Sequence, residues 1–415
     1  MLTLVSAILV FSAIVLVHEF GHYKAARSVG IKVYEFAIGM GPTLYKKEKN
    51  GTIYSIRAIP IGGFVQMEGE EEDVRTSTSF STKTIWQRFK VIAAGPLMNF
   101  VFALALFIII ALSFGVYGNR IDYIDKDSNE YSAGLRTGDK IVSINGDKAY
   151  IWEDIFYEIA NPDRAYYTVE YERNGEVSQA RIENNYRKIV GISTDVVDGK
   201  ATTTVSPTDV TSPAYEAGIH DGDKVTKING IPIDTWEELT NQVENTPDGQ
   251  PVNVTVERNG NTLDFSITPQ TQIAVKFNTQ LEKSFITAIS SSAYKTVYYI
   301  ELMFKTISQL VTGKLGSDAL GGPVMVISMV GEAAESGLLS LLSLAAFISI
   351  NLGFMNLLPI PALDGSKLVF LIIEAIRGKA IPIEKEGYIH FIGFMALIAF
   401  MVFITYKDIL RLLRI

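Results

Sequence analysis

The chain has 415 residues, of which 48% are hydrophobic and 20% charged, with a formal net charge of −8 and no cysteine. No long basic cluster offsets this acidity, which argues against a nucleic-acid partner, and without cysteine any metal must be held by nitrogen and oxygen atoms. The mean hydropathy of +0.21 is high for a soluble protein and low for a chain that lies wholly in lipid. The protein is therefore expected to have a membrane part and a soluble part.

Four stretches are apolar enough to cross a bilayer as helices, which takes about 20 residues each. They are residues 2–17, 91–116, 338–358 and 389–406. A cleaved signal peptide is the alternative for the first stretch. However, a small-residue cleavage site is missing, and the basic residues Lys24 and Arg27 follow the stretch instead of preceding it. We predict a multi-pass α-helical membrane protein with four transmembrane helices.

Basic residues set the expected orientation. They flank the loop between the first two helices, which marks that loop as cytoplasmic, and they are Lys24, Arg27, Lys32, Lys83, Arg88 and Lys90. The long segment after the second helix is then extracytoplasmic. Lys407, Arg411 and Arg414 at the C-terminus argue for the opposite orientation.

The first hydrophobic stretch continues into the sequence VLVHEFGHYKAA. His18 and His22 are four residues apart and share one helix face, with Glu19 beside them. Two imidazoles and an oxygen ligand suit zinc with a position left for water, which the carboxylate can activate as a general base. Two chance histidines are the alternative. The pattern begins about six residues, or roughly 9 Å, inside Lys24, where uncompensated polar groups are costly.

Residues 51–69 form an apolar segment that is interrupted at Gly62 and Gly63. We predict a re-entrant hairpin that dips into the membrane and pairs its edge with unwound substrate, with Gly62, Gly63 and Phe64 as contact residues. An ordinary cytoplasmic hairpin is the alternative. The acidic residues within 68–73 are predicted to form a solvated connector and not a cation site.

A repeat follows the second helix. Residues 132–154 recur at 216–238, and the sequence YERNG at 171–175 recurs as VERNG at 256–260. Alternating hydrophobicity and Asn-Gly turns predict two small α/β domains, each with a short helix at its tryptophan. Their Ala-Gly, Gly-Asp-Lys and Ile-Asn-Gly sequences resemble bacterial PDZ domains, which bind extended segments or chain ends at a sheet edge. Two spacer domains without a ligand are the alternative.

The segment after the repeat contains an amphipathic stretch, residues 283–313, which is expected either along the membrane surface or against the helix bundle. Residues 320–331 are too short to span and are expected to insert partially. The third hydrophobic stretch ends in NLGFMNLLPIPALDG, whose prolines cannot continue a helix and whose Asp364 can cap the next one. Such a broken helix is tolerated where it lines a water-filled cavity. Asp364 is therefore a candidate oxygen ligand, with a cap at the membrane surface as the alternative.

The whole set of motifs resembles the site-2 protease family, in its bacterial form with tandem PDZ domains. The residues that carry the resemblance are HEFGH at 18–22, GPLMN at 95–99 and NLLPIPALDG at 356–365. The resemblance implies one zinc ion held by His18, His22 and Asp364, with Glu19 activating water. It also implies that Asn351 and Asn356 contact the substrate backbone.

The resemblance further implies an intramembrane endopeptidase of the bacterial cytoplasmic membrane, with its active site toward the cytoplasm and its PDZ domains outside. Its expected partners are the lipid bilayer and single-span membrane proteins, such as clipped anti-sigma factors or remnant signal peptides. The PDZ domains would recognise an exposed substrate end or exclude untrimmed substrates. Ser366 and Lys367 depart from the glycine and histidine that relatives often carry there.

Two other functions are weighed against this one. A catalytically silent PDZ scaffold is expected to lack Glu19 or Asp364, and both are present. A transporter is expected to show an inverted repeat of its hydrophobic segments, and none is apparent.

The expected domains are a membrane domain at 1–116, PDZ-like domains at 117–197 and 198–272, a connector at 273–337 and a second membrane domain at 338–415.

Overall fold

The computed structural model describes residues 2–70, 74, 76–160, 164–197, 199–208, 212–313 and 321–413. It divides into two compact units, one built from the chain up to Val116 and from Glu282 to Arg411, the other from Tyr117 to Leu281. The described residues form helices α1 (Leu2–Ser28), α2 (Ile85–Phe114), α3 (Asn129–Ser132), α4 (Trp152–Ile159), α5 (Pro213–Ala217), α6 (Trp236–Glu244), α7 (Phe285–Val311), α8 (Pro323–Glu335), α9 (Leu338–Leu357), α10 (Asp364–Arg377) and α11 (Ile383–Leu413).

The strands lie in three parts of the chain: an early pair, the repeat region and a short segment after it. They are β1 (Val33–Lys49), β2 (Thr52–Met67), β3 (Val116–Ile124), β4 (Lys140–Ile144), β5 (Asp147–Lys148), β6 (Tyr166–Arg173), β7 (Glu176–Glu183), β8 (Asn185–Ile189), β9 (Ile192–Val197), β10 (Lys200–Pro207), β11 (Asp223–Ile228), β12 (Ile231–Pro232), β13 (Val252–Arg258), β14 (Asn261–Ile267), β15 (Gln270–Ala274) and β16 (Phe277–Glu282).

The first unit is a helix bundle. Helices α1, α2 and α9 and residues Glu384–Leu410 of α11 are long and apolar enough to cross a membrane, which confirms the expected four. The buried core joins α1, α2 and α9, with Val330 of α8 packed into it. A Cβ atom on Gly353 of α9 would lie 2.9 Å from the Pro96 carbonyl oxygen of α2, so a small residue lets these two helices approach closely.

Helix α7 packs against this bundle. The Tyr299 ring lies 5.8 Å from the Phe107 ring of α2 and 5.3 Å from the Phe347 ring of α9, measured between centroids. These contacts decide between the two expected placements of the amphipathic stretch in favour of the bundle. Leu320, the first residue of the segment expected to insert partially, lies outside the described residues. From Pro323 onward that segment is the short helix α8.

Strands β1 and β2 form a sheet that differs from the expected hairpin. The chain reverses at Asn50 and Gly51, whose φ angles of 53° and 73° suit the tight turn that Asn-Gly favours. Residues 35–38 pair with residues 53–56 on one side and with residues 63–66 on the other. Residues 53–56 run in the same direction as residues 35–38, whereas residues 63–66 run in the opposite direction, so the chain reverses again between 56 and 63. The interruption expected at Gly62 and Gly63 is therefore present, but residues 35–38 lie between the two arms, and residues 63–67 form an edge of the sheet.

The second unit contains two sheets with matching strand patterns. Their orders are β16-β3-β4-β6-β7, with β5 on β4, and β14-β13-β11-β10-β9, with β12 on β11. Helices α4 and α6 begin at the two tryptophans, as the repeat predicts. Two PDZ-like α/β domains are therefore inserted between membrane helices, as expected.

The strand pairing moves the expected domain boundaries. Strand β9, which was assigned to the first repeat, pairs with β10 of the second, and β16, which was assigned to the connector, pairs with β3 of the first. Between them, β8 and β15 pair with each other. The second α/β domain is thus inserted into the first. The tandem repeat conceals this because the strand completing the first sheet lies beyond the second copy.

The repeated arginine has the same role in both domains. Arg173 donates two hydrogen bonds of 2.7 Å to Asp139 and one of 2.7 Å to the Gly134 carbonyl. In the second copy, Arg258 donates two of 2.6 Å to Asp223 and one of 2.8 Å to the Gly218 carbonyl. Burial alone would raise the pKa of Asp223, but the Arg258 hydrogen bonds and charge outweigh it and hold that pKa below its ordinary value.

Candidate metal centre

Three ligand side chains converge within the first unit. His18 and His22 lie on one face of α1, both buried, with their Nε2 atoms 3.2 Å apart. The Oδ2 atom of Asp364 lies 3.2 Å from the first of these atoms and 3.4 Å from the second. Among the described residues, these three form the one cluster of histidine and acidic side chains placed to hold a metal ion.

Asp364 reaches this cluster because of its position on α10. The helix begins at Asp364 itself, and Leu363 before it occupies the N-cap position. The carboxylate makes no capping hydrogen bond. The predicted capping role of Asp364 is therefore wrong, because its side chain is directed at the two imidazoles and not at the backbone N–H groups of its own helix.

Hydrogen bonds at the far side of each ring orient the imidazoles. His22 Nδ1 lies 2.9 Å from the Val91 carbonyl oxygen of α2, and since a carbonyl only accepts, Nδ1 carries the proton and Nε2 keeps its lone pair. His18 Nδ1 lies 3.2 Å from the Asn99 side-chain amide, whose own oxygen has no partner within the described residues. If the Asn99 amide group is flipped, its oxygen takes the place of its nitrogen and accepts a hydrogen bond from His18 Nδ1–H. The Nε2 atoms of both histidines then keep their lone pairs and face the same point.

This donor set fits a tetrahedral metal ion such as zinc. Ligand atoms held about 2.0–2.1 Å from zinc at the corners of a tetrahedron lie about 3.4 Å from one another. The three ligand atoms here are 3.2, 3.2 and 3.4 Å apart. Two imidazole nitrogens and one carboxylate oxygen also match the ligands of catalytic zinc sites, which keep a fourth position open.

Glycines allow α1 and α2 to approach closely at this point. A Cβ atom on Gly95 would lie 2.2 Å from His22 Nε2, and one on Gly21 would lie 2.3 Å from the Ala94 carbonyl oxygen. Any side chain at position 95 would therefore occupy the space of the ligand atom. The Gly-Pro motif of α2 thus has two contacts, since Gly95 makes room for His22 and the Pro96 carbonyl oxygen lies close to Gly353 of α9.

Glu19, the expected catalytic base, and the sheet edge lie side by side. A Cβ atom on Gly63 would lie 3.6 Å from Glu19 Cγ, and one on Gly62 would lie 2.9 Å from the Met40 side chain. Phe64 is held by the Arg57 guanidinium, 4.7 Å from its ring centroid. The sheet edge therefore begins beside Glu19, the residue expected to activate water, and extends away from it.

The connector after this edge is anchored. Glu68 is buried and accepts hydrogen bonds from Tyr34 at 2.9 Å, from Thr76 at 2.8 Å and from Thr78. The hydrogen bonds from Thr78 and Thr76 hold the pKa of Glu68 below its ordinary value. The expectation of a solvated connector is wrong for Glu68, and residues 71–73 lie outside the described part. Farther along, Glu70 forms a 2.8 Å ion pair with Lys367 of α10.

The two predicted substrate-binding asparagines lie on α9. Neither Asn351 nor Asn356 hydrogen-bonds to the three clustered ligands among the described residues. The Asn351 side-chain oxygen is buried and has no hydrogen-bond partner in that part of the chain. It is therefore an acceptor available to another molecule.

His390 has a contact that sequence reasoning missed. The Nδ1 atom of His390 lies 2.9 Å from the backbone nitrogen of Ala362, two residues before Asp364. The partners are 28 residues apart and α10 lies between them in the chain, so no helical or strand periodicity links them. The one available signal was a histidine placed early in an apolar helix.

The profile of Peptidase family M50 matches residues 6–400, and the chain belongs to this family. With its clustered ligands and adjacent glutamate, the protein is a site-2-type metalloendopeptidase. The Haemophilus influenzae protein named Regulator of sigma E protease is 32% identical, with 98% of each chain covered. The Bacillus subtilis protein named Regulator of sigma-W protease RasP is 31% identical, with 99% of each chain covered.

PDZ domains are among the solved structures that the chain resembles. The PDZ domain of HtrA3 bound to a phage-derived ligand shares 24% identity across 22% of this chain and 91% of its own, with a TM-score of 0.18. The PDZ domain of EpsC from Vibrio cholerae shares 25% identity across 19% of this chain and 74% of its own, with a TM-score of 0.15.

Replacing Gly95 with alanine tests the close contact with His22. The added methyl group would displace the His22 ring, since its position lies 2.2 Å from Nε2, and we expect metal affinity to fall about 10-fold or more. Metal content after dialysis against a graded chelator measures this. Gly387→Ala is the matched control, because a Cβ atom there meets nothing within 4 Å. Equal metal retention by both variants would contradict the packing argument.

Proposed function

We propose that the protein uses one zinc ion, held by His18, His22 and Asp364, to hydrolyse peptide bonds in the transmembrane segments of single-span membrane proteins. The observation that carries the proposal is the spacing of the three ligand atoms inside a bundle of apolar helices. The names of the relatives, which call them proteases and regulators of sigma factors, also support it. They favour membrane-bound anti-sigma factors as substrates, with remnant signal peptides as a second class.

Within this proposal, zinc supplies Lewis-acid chemistry that polarises the peptide carbonyl and makes water more acidic. Glu19 accepts the proton of the attacking water at its carboxylate and delivers it to the leaving nitrogen, as a general base and then a general acid. The hydrogen bonds that His22 and His18 donate to the Val91 carbonyl and to the Asn99 side-chain oxygen keep both Nε2 atoms turned toward the position that the ion would occupy. Asn351 accepts a hydrogen bond from a substrate backbone N–H with its unpartnered oxygen.

Glu19→Gln separates metal binding from catalysis. We expect cleavage of a model single-span substrate in detergent to fall at least about 100-fold, because an amide cannot take up the proton, while about one zinc per chain is retained. Glu301→Gln, on an exposed position of α7, is the matched control. Normal cleavage by Glu19→Gln would contradict the proposed base. Absence of both zinc and cleavage in the wild type would favour the scaffold function.

A transmembrane substrate must lose helical hydrogen bonds before its peptide group can be attacked. Residues 63–67 offer a replacement, since they form a sheet edge whose outward backbone groups can pair with an extended segment. Gly63 lies against Glu19, so a segment paired along this edge would pass the catalytic base. The edge therefore supports a clamping role, with Gly62, Gly63 and Phe64 as contact residues.

Proline substitution along this edge tests the clamp. Adjacent residues of an edge strand direct their N–H groups alternately inward and outward, and proline removes the N–H. Proline at the outward positions among 64, 65 and 66 should lower substrate binding and cleavage about 10-fold while zinc content stays constant. Pull-down of substrate by the Glu19→Gln background and zinc analysis measure the two quantities. Unchanged cleavage for all three variants would reject the clamp.

The second α/β domain has a groove suited to a peptide end. Strand β9 forms the edge of its sheet. A cavity of about 560 Å³ at the start of this strand is lined by Ile192, by Thr240 and other residues of α6, and by residues of β8 and β15. An extended chain can add to such an edge and place its last side chain in the cavity. We infer that this groove binds the free extracytoplasmic end of a trimmed substrate.

Thr240→Trp tests this inference because the indole would fill the cavity from α6. The KM for a trimmed substrate should rise several-fold, with kcat unchanged. Asn241→Trp is the control, since Asn241 is exposed and does not line the cavity. Identical KM values for both variants would reject recognition by the groove and favour the alternative in which the PDZ-like domains exclude untrimmed substrates.

We also propose the orientation given by the charge pattern, with the loop between α1 and α2 in the cytoplasm and the PDZ-like domains outside. The bacterial relatives support placement in the cytoplasmic membrane. The active site then lies toward the cytoplasmic side, because His18 is closer to the basic end of α1 than to its beginning.

A further inference from the structure

The loop between α9 and α10 holds an unusual backbone conformation. Ala362 has a φ angle of +80°, whereas the other non-glycine residues with positive φ among those described are all asparagines. Asparagine tolerates this region because its side chain bonds to its own backbone, and alanine has no such group. The conformation of Ala362 must therefore be held by contacts from elsewhere.

Helix α11 supplies those contacts. The Ala362 N–H donates to His390 Nδ1 at 2.9 Å, and because a backbone N–H only donates, Nδ1 must be the unprotonated ring nitrogen. One turn later, a Cβ atom on Gly393 would lie 2.2 Å from Pro361 Cβ, so the same helix face touches the loop twice. The ring of Phe370 meets the His390 ring edge-on, 5.6 Å away between centroids.

This loop determines where Asp364 points. Asp364 follows Ala362 by two residues, and a Cβ atom on Gly365 would lie 2.1 Å from the Leu358 carbonyl oxygen. The start of α10 is therefore packed tightly against the end of α9, with little room for readjustment. A change in the backbone angles of Ala362 would move the carboxylate relative to His18 and His22.

We propose that His390 is a positioning residue for the metal centre. It acts through its Nδ1 acceptor, which fixes Ala362 and thereby directs Asp364 at the two histidines. The inference rests on the proposed function, since it assumes a metal ion at these three ligands. His390 is not itself a ligand in this arrangement, because Nδ1 is committed to Ala362 and Nε2 faces Glu386 at 3.7 Å.

Two near-isosteric variants distinguish this role from simple packing. In His390→Asn the amide oxygen can occupy the place of Nδ1 and accept from Ala362, whereas in His390→Gln it reaches toward the place of Nε2. We expect His390→Gln and His390→Leu to lower zinc affinity about 10-fold and to alter the visible spectrum of the cobalt(II)-loaded protein. His390→Asn should stay near wild type in both. Glu386→Gln is the control for the other polar neighbour of the ring.

Kinetics give a second readout. Loss of Asp364 orientation should lower kcat with little change in KM, because the substrate-contacting residues are untouched. The proposal is overturned if His390→Gln keeps wild-type zinc affinity and cobalt spectrum, or if His390→Asn fails as His390→Leu does. The Asn and Gln variants differ by one methylene, so their comparison holds even if the leucine variant does not fold. A wild type without metal or cleavage would instead overturn the proposed function.

Discussion

Three electron-rich atoms must face one another inside an apolar helix bundle, and much of the first unit is arranged around this constraint. Two Nε2 atoms and one carboxylate oxygen lie 3.2–3.4 Å apart, where they would repel without a cation between them. Their approach requires α1 and α2 to touch at Gly21 and Gly95. The close crossing of α1 and α2 is therefore part of the polar site, because the three atoms can meet only where these two helices touch.

Under the proposed function, the sheet formed by β1 and β2 has a matching role for the substrate. A peptide bond in a helix is shielded by backbone hydrogen bonds, and in lipid those bonds cannot be exchanged for water. The backbone N–H and C=O groups of the sheet edge beside Glu19 can replace those hydrogen bonds at the place where attack would occur. Buried Glu68 ties down the connector beyond this edge, and the Glu70–Lys367 ion pair joins it to α10, which carries Asp364. The proposed clamp and the proposed third ligand are thus connected through this ion pair.

Local spacing in the sequence was sufficient to predict some of these features. The interval between His18 and His22 specifies a shared helix face, the prolines before Asp364 specify a break, and the repeat specifies two similar domains. The sheet register was not predictable in the same way, because residues 35–38 lie outside the predicted hairpin and pair with both of its arms. The roles of Asp364 and His390 also depend on contacts across the bent loop. Such contacts leave no periodic signal in one sequence.

The insertion of one α/β domain into the other has a consequence for synthesis. The first sheet needs β16, and β16 is synthesised only after the whole second domain. The second domain, whose strands β9 to β14 are contiguous in sequence, can fold as soon as it emerges, whereas the first must wait with its β3 edge unpaired. The chain thus completes its inner domain before its outer one, and only then adds the helices that bring Asp364 to the histidines. Proteolytic capacity arises last, when nearly all of the chain has been made.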